Sequence, residues 1–154
     1  MKIPIRIKRS EDGSLRLLVG YYARNGSIRL NGDIEAMVDT GADISIISEA
    51  DALVKMGGSF KNLRKTTRET LRLGGIKSKL RTLKEVKMKF KKEDGTAEII
   101  NMELFTSRCT SKKKEAIRSA QTIPSIIGMD FLYKNDLKLV VNPKENEAYF
   151  EKVE

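Results

Sequence analysis

Asp39 is the residue whose setting best suits chemistry: it lies in the run Ile34-Glu35-Ala36-Met37-Val38-Asp39-Thr40-Gly41-Ala42-Asp43-Ile44-Ser45-Ile46-Ile47-Ser48, a carboxylate between two apolar stretches. Met37-Val38 and Ile44-Ile46-Ile47 have the β-branched character of strand ends, so Asp-Thr-Gly falls where a buried strand stops and a tight loop begins. Gly41 permits the bend. What the chain lacks narrows the alternatives. It contains no histidine, which removes Ser-His-Asp and Cys-His mechanisms and His-rich zinc sites. Its one cysteine, Cys109, has no histidine to activate it and no partner for an internal disulfide. That suits a reducing compartment, and a cytoplasmic location is expected. Carboxylates, lysines and hydroxyls remain, and of these only Asp39 comes with a defined backbone setting.

The elements that would hold this loop are mostly strands. Ile3, Ile5 and Ile7 alternate with polar residues, predicting a half-buried strand that tolerates Pro4 near an edge. Glu11-Asp12-Gly13-Ser14 is turn chemistry, and Leu15 to Tyr22 returns as the second arm of a hairpin. Asn25-Gly26 and Asn31-Gly32 predict turns around a short strand, Ser27 to Leu30, ahead of the strand that delivers Asp39. Ser48, with Asp51 three residues on, predicts a helix N-cap, the helix ending at Gly57-Gly58. Residues 59 to 68 have no clear period and are expected to be loop or irregular strand. From Glu69 to Phe90 two extended runs meet at Gly74-Gly75, a predicted β-hairpin. Val86, Met88 and Phe90 alternate with lysines, so its second arm returns to the core. Ala97 to Phe105 follows as a strand after the turn Glu93-Asp94-Gly95-Thr96. Thr106 to Thr122 is polar and basic and is expected to be an exposed insertion with a turn of helix at Lys114 to Ala120. Ile123 to Gly128 is a predicted strand, Met129 to Tyr133 a short helix, and Leu137 to Val141 with Glu147 to Phe150 a terminal hairpin.

At 154 residues the chain predicts one domain over residues 1–154, with 40% hydrophobic and 33% charged residues as in ordinary globular proteins. No apolar run approaches the length of a membrane span, and the alternating N-terminus lacks the continuous apolar stretch of a secretory signal. Net charge is +9, but residues 55–92 alone carry fourteen Lys and Arg against two Glu. This basic zone could steer nucleic acid or acidic peptides, or be a solvated face only. Cys109 and the run Lys112-Lys113-Lys114 read as surface features.

Met37-Val38-Asp39-Thr40-Gly41-Ala42, the strand Ile44 to Ile47, and Ile126-Ile127-Gly128-Met129-Asp130-Phe131-Leu132 together resemble the retropepsin family, the single-domain aspartic peptidases of retroviruses and retroelements. The likeness covers most of residues 3 to 150. It is strong toward the protease-like domain of DNA-damage-inducible proteins and similar prokaryotic stand-alone domains. The resemblance implies an all-β, closed β-barrel fold with one or two short helices and a β-hairpin flap. It places Asp39 at the loop tip, Thr40 hydrogen-bonding across a dimer, and Gly41 where the backbone must approach closely, with the Ile126-Ile127-Gly128 strand beneath. Ala42 and Asp43 fall at substrate-binding positions, Asp43 being alternatively a turn-capping carboxylate. Gly74 and Gly75 match the tip of the flap, or form an ordinary hairpin turn. With one Asp-Thr-Gly per chain, the implied enzyme is a homodimer that pairs two copies of Asp39 and hydrolyses peptide substrates, with no metal or organic cofactor. Several retroviral members carry an Arg after the Gly of the C-terminal motif, tying the dimer by ion pairs. Here that residue is Met129, as in the non-viral relatives. The competing reading is a catalytically silent dimer that binds peptide or nucleic acid through its groove or the basic zone 55–92.

Overall fold

Alternation of apolar and polar residues produces eleven strands in the computed structural model, which describes residues 1–57, 63, 71–73 and 76–154, with backbone only at 71–73, 76 and 77. The strands are β1 (Lys2–Pro4), β2 (Arg6–Arg9), β3 (Leu15–Asn25), β4 (Leu30–Val38), β5 (Ile46–Ile47), β6 (Leu71–Leu73), β7 (Ile76–Lys91), β8 (Ala97–Cys109), β9 (Ser125–Ile127), β10 (Leu137–Asn142) and β11 (Glu147–Lys152). The helices are α1 (Glu49–Met56), α2 (Lys114–Ala120) and α3 (Met129–Lys134). The larger sheet runs β2-β3-β4-β9-β5-β8-β7-β6, and a further β3–β7 pairing closes β3, β4, β9, β5, β8 and β7 into a ring. β1, β11 and β10 form a second, antiparallel sheet.

The core lies inside this ring. Val86, Met88 and Phe90 of β7 and Ile100, Met102 and Leu104 of β8 are buried, while Lys87, Lys89 and Lys91 face out. A row of aromatic contacts, Tyr21 to Phe90 (5.4 Å), Phe90 to Phe131 (5.4 Å) and Phe131 to Phe150 (5.0 Å), ties β3 and β7 to α3 and β11. Such tilted pairs stabilise beyond their buried area. α3 is thereby fixed against the core directly behind the Ile126-Ile127-Gly128 stretch.

Several expectations change in detail. The N-terminal run is two strands in different sheets: β1 pairs with β11 and β2 with β3, and the switch falls at Ile5, whose N–H donates to Ala148 O (2.9 Å). Pro4 has no N–H to continue a ladder, which favours the break there. Asn31-Gly32 is not a turn. It lies inside β4, paired with Arg24 and Ala23 of β3, and Ser27 belongs to a 3-10 turn (Gly26–Ile28) capped by the Asn25 side chain, where a strand was expected. One Asn-Gly is satisfied as the hairpin turn, and the second is carried by the ladder. Thr106 to Cys109 continue β8, with Thr106 and Ser107 buried, so only the later part of the expected insertion leaves the sheet; α2 spans the predicted Lys114 to Ala120. Gly74 and Gly75 lie outside the described residues, as does much of the basic zone 55–92. The flanking β6 and β7 pair antiparallel from Leu71↔Ser78 to Leu73↔Ile76.

Candidate active site

Asp39 lies just past the end of β4, and its position follows from how β9 is inserted. β9 pairs parallel with β4 (Ala36↔Ser125 to Val38↔Ile127) and antiparallel with β5 (Ile46↔Ile126). The loop from Asp39 to Ser45 therefore crosses over β9 to pass from one neighbour to the other. Its backbone is stitched to the segment beneath: Asp39 N donates to Ile127 O (3.0 Å), Met129 N to Ala42 O (2.8 Å) and Asp130 N to Asp43 O (3.2 Å). Gly128 is required at this crossing, because a Cβ there would sit 2.5 Å from Ile44 O and 2.7 Å from Ala42 O. Both obstacles are backbone and cannot rotate away.

Within the loop, Asp39 Oδ1 accepts the Gly41 N–H (2.9 Å) and Ala42 N donates to Asp39 O (3.1 Å). Asp39 is half-buried, whereas Thr40, Gly41 and Asp43 are exposed and Ala42 is half-buried. The structure thus brings Asp39, Thr40, Gly41, Ala42 and Asp43 together on one short loop. Asp43 joins it through its carbonyl. The floor under Asp39, formed by Val38, Ile127, Leu132 and Phe150, leaves no room for a water molecule.

Asp130, which sequence reasoning does not single out, holds the far end of the loop. It is 1% exposed. Its Oδ1 accepts from Ser45 Oγ (2.6 Å) and from its neighbour Phe131 N (2.8 Å), and its Oδ2 from Ser45 N (3.0 Å). Ser45 Oγ in turn accepts the Gly128 N–H (2.9 Å). Burying a polar group is costly unless it is hydrogen-bonded, and here three donors converge on one side chain. The available signal is an acidic residue between Ile126-Ile127-Gly128 and Phe131-Leu132, since acids in apolar runs are rarely buried unless bonded.

Among the described residues no three His, Cys, Asp or Glu side chains gather to hold a metal ion, and no helix is long and apolar enough to cross a membrane. A hollow of about 780 Å³ lies away from Asp39, against β3, β4, β7 and Gly95-Thr96-Ala97.

A family model described as retroviral aspartyl protease matches residues 11–140. No curated protein matches the chain. Among solved structures, a retropepsin-like aspartic protease from Rickettsia conorii is similar over 99% of this chain and 91% of its own, at 21% identity and a TM-score of 0.55. EIAV protease complexed with the inhibitor HBY-793 is similar over 82% of this chain and 93% of its own (17% identity, TM-score 0.49). The retroviral protease-like domain of Ddi1 from Leishmania major is similar over 87% of this chain and 94% of its own (14% identity, TM-score 0.44).

Proposed function

The chain belongs to the retroviral aspartyl protease family, and from that premise we propose that it is a homodimeric aspartic endopeptidase whose paired Asp39 carboxylates activate the attacking water. The observation that carries this reading is the Asp39 loop, held from beneath by Ile127, Gly128, Met129 and Asp130 and presenting Thr40 and Gly41 to solvent. One chain supplies one such carboxylate. Two brought to roughly 3 Å cannot both ionise, the aspartic-protease dyad being the established example, so one holds a proton while the other acts as base. Water shared by the pair attacks the scissile carbonyl, and the proton on the second carboxyl passes toward the developing oxyanion and then the leaving amine. Thr40 and Gly41 are the surface that the second copy covers. Ala42 and Asp43 border it and contact the substrate backbone, with Gly74 and Gly75 covering the bound peptide.

The test is Asp39→Asn. Asparagine keeps an oxygen for the Gly41 N–H, so fold and dimer should persist while cleavage of an unfolded protein substrate falls by at least about 10³-fold, the scale of losing an essential acid–base group. Peptidase activity retained by that variant would sink the mechanism.

A further inference from the structure

The lysines at 87, 89 and 91 form a ladder on the outward face of β7, spaced two residues apart and so by roughly 7 Å. All three are exposed, and among the described residues none forms an ion pair. Their neighbours across the sheet are in register: Arg24 and Asn101 beside Lys87, Tyr22 and Ile99 beside Lys89. Arg24 is exposed, Ile99 is half exposed and Tyr22 half-buried, its hydroxyl donating to Asn31 Oδ1. Two hollows open on this face, the one of about 780 Å³ bordered by Lys89, Lys91 and Tyr22 and another of about 540 Å³ bordered by Arg24 and Lys87.

Gly20 lines the larger hollow, and packing does not require a glycine there. A Cβ would have as its nearest neighbour only Ile34 O at 3.9 Å. Glycine inside a strand is destabilising and marks a place where something approaches the sheet closely. Asp33 and Glu35 also line the hollow, in register beside Tyr22 and Gly20, with Glu35 engaged by Arg6 (3.3 Å); their charge confines phosphates to the β7 side.

We propose that this face binds a single strand of nucleic acid, its phosphates running along Lys87, Lys89 and Lys91 and a base lying over Gly20 against Tyr22. A basic track interleaved with an aromatic platform is how single strands are held without sequence preference. An acidic peptide suits the face less well. β7 is paired by β8 along the whole lysine track and by β3 from Lys87 to Lys89, so over that stretch no edge is free for strand addition and a peptide would bring side-chain contacts alone. The face is distinct from the cleavage site: roughly 20 Å of strand separates Asp33 from Asp39.

Fluorescence anisotropy with a labelled 15-nucleotide single strand of mixed sequence tests this, using Asp39→Asn as well as the wild type so that binding is read apart from peptidase activity. Binding is expected at low salt, with log K falling against log salt at a slope of about −2 for three phosphates. K87Q/K89Q/K91Q should weaken it more than tenfold and flatten the slope. K112Q/K113Q/K114Q, which removes the same charge from another surface, should change it less than threefold. Tyr22→Ala, charge-neutral, should weaken it several-fold, and Gly20→Val, which suits a strand, should weaken it while raising thermal stability. No binding at low salt, an equal loss in both lysine variants, unchanged binding in Tyr22→Ala or Gly20→Val, or displacement by polyglutamate at equal charge would overturn the proposal.

Discussion

Asp39 cannot hold its own position, since a carboxylate at a loop tip is only as fixed as the backbone below it. Here that backbone is fixed by Asp130, through Ser45 and Gly128. Removing the carboxylate in Asp130→Ala strands the buried N–H and hydroxyl of Ser45, while Phe131 N keeps Gly128 O, and each stranded donor costs about 1–3 kcal/mol. Asp130→Asn retains one oxygen and leaves one donor unpaired, a cost of about 1–3 kcal/mol. Urea midpoints should follow that order. If Asp130 positions Asp39, turnover per folded dimer in the Asn variant should also fall, with KM little changed; a purely structural residue would move the midpoint alone. The place of the turn was legible because Asp-Thr-Gly stands between β-branched runs. Asp130 was not, because its role depends on Ser45 lying across the fold, 85 positions away in sequence.

At the scale of elements, periodicity carries well where one face is buried, and poorly where tertiary pairing decides. The lysine-alternating arm of β7 and the boundaries of α2 are read directly from pattern. The N-terminal run fails to reveal its division between two sheets, since a period of two says which face is buried and not against which partner. α1 shows how a local signal is reinforced at long range. Ser48 Oγ accepts from Asp51 N (3.1 Å) as the cap, Asp51 Oδ2 accepts from Ser125 Oγ (2.6 Å), and Ser125 Oγ accepts from Ser48 N (2.9 Å), joining the helix start to β9. Tyr21 packs in the core within reach of this network's charge: burial first, and the Asp51 carboxylate second, push its hydroxyl well above the ordinary phenol range. In the unfolded chain that hydroxyl loses its proton near pH 10, so above that pH the unfolded state binds fewer protons and stability falls as pH rises. One such group contributes up to about 1.4 kcal/mol per pH unit. Between pH 10 and pH 11 the wild type should therefore lose more stability than Tyr21→Phe, by urea titration at each pH. Equal losses would show that Tyr21 is not the titrating group.

The molecule is built on a ring of strands, β3, β4, β9, β5, β8 and β7, and the Asp39 loop meets solvent at one place on it. Thr40 and Gly41 are exposed there, and Met129 and Tyr133 of α3 are exposed at 37% and 65%. Pairing two chains about a two-fold axis brings each loop to its own copy, which is the only source of a second Asp39. On the proposed mechanism activity is a property of pairs, and pairs can be counted by mixing. Wild-type chains allowed to exchange with Asp39→Asn chains pair at random, and a mixed dimer has one reactive carboxylate. Activity per wild-type chain should then equal the wild-type mole fraction, roughly half in an equal mixture and roughly a tenth with a ninefold excess of variant. The measurement is an initial rate after exchange at concentrations where the dimer is fully formed, because dilution would otherwise lower the rate by mass action. Chains that worked singly would give a rate independent of added variant, and a dimer with two separate sites, each complete within one chain, would do the same. A rate that follows the mole fraction requires that each site draws one Asp39 from each of two chains.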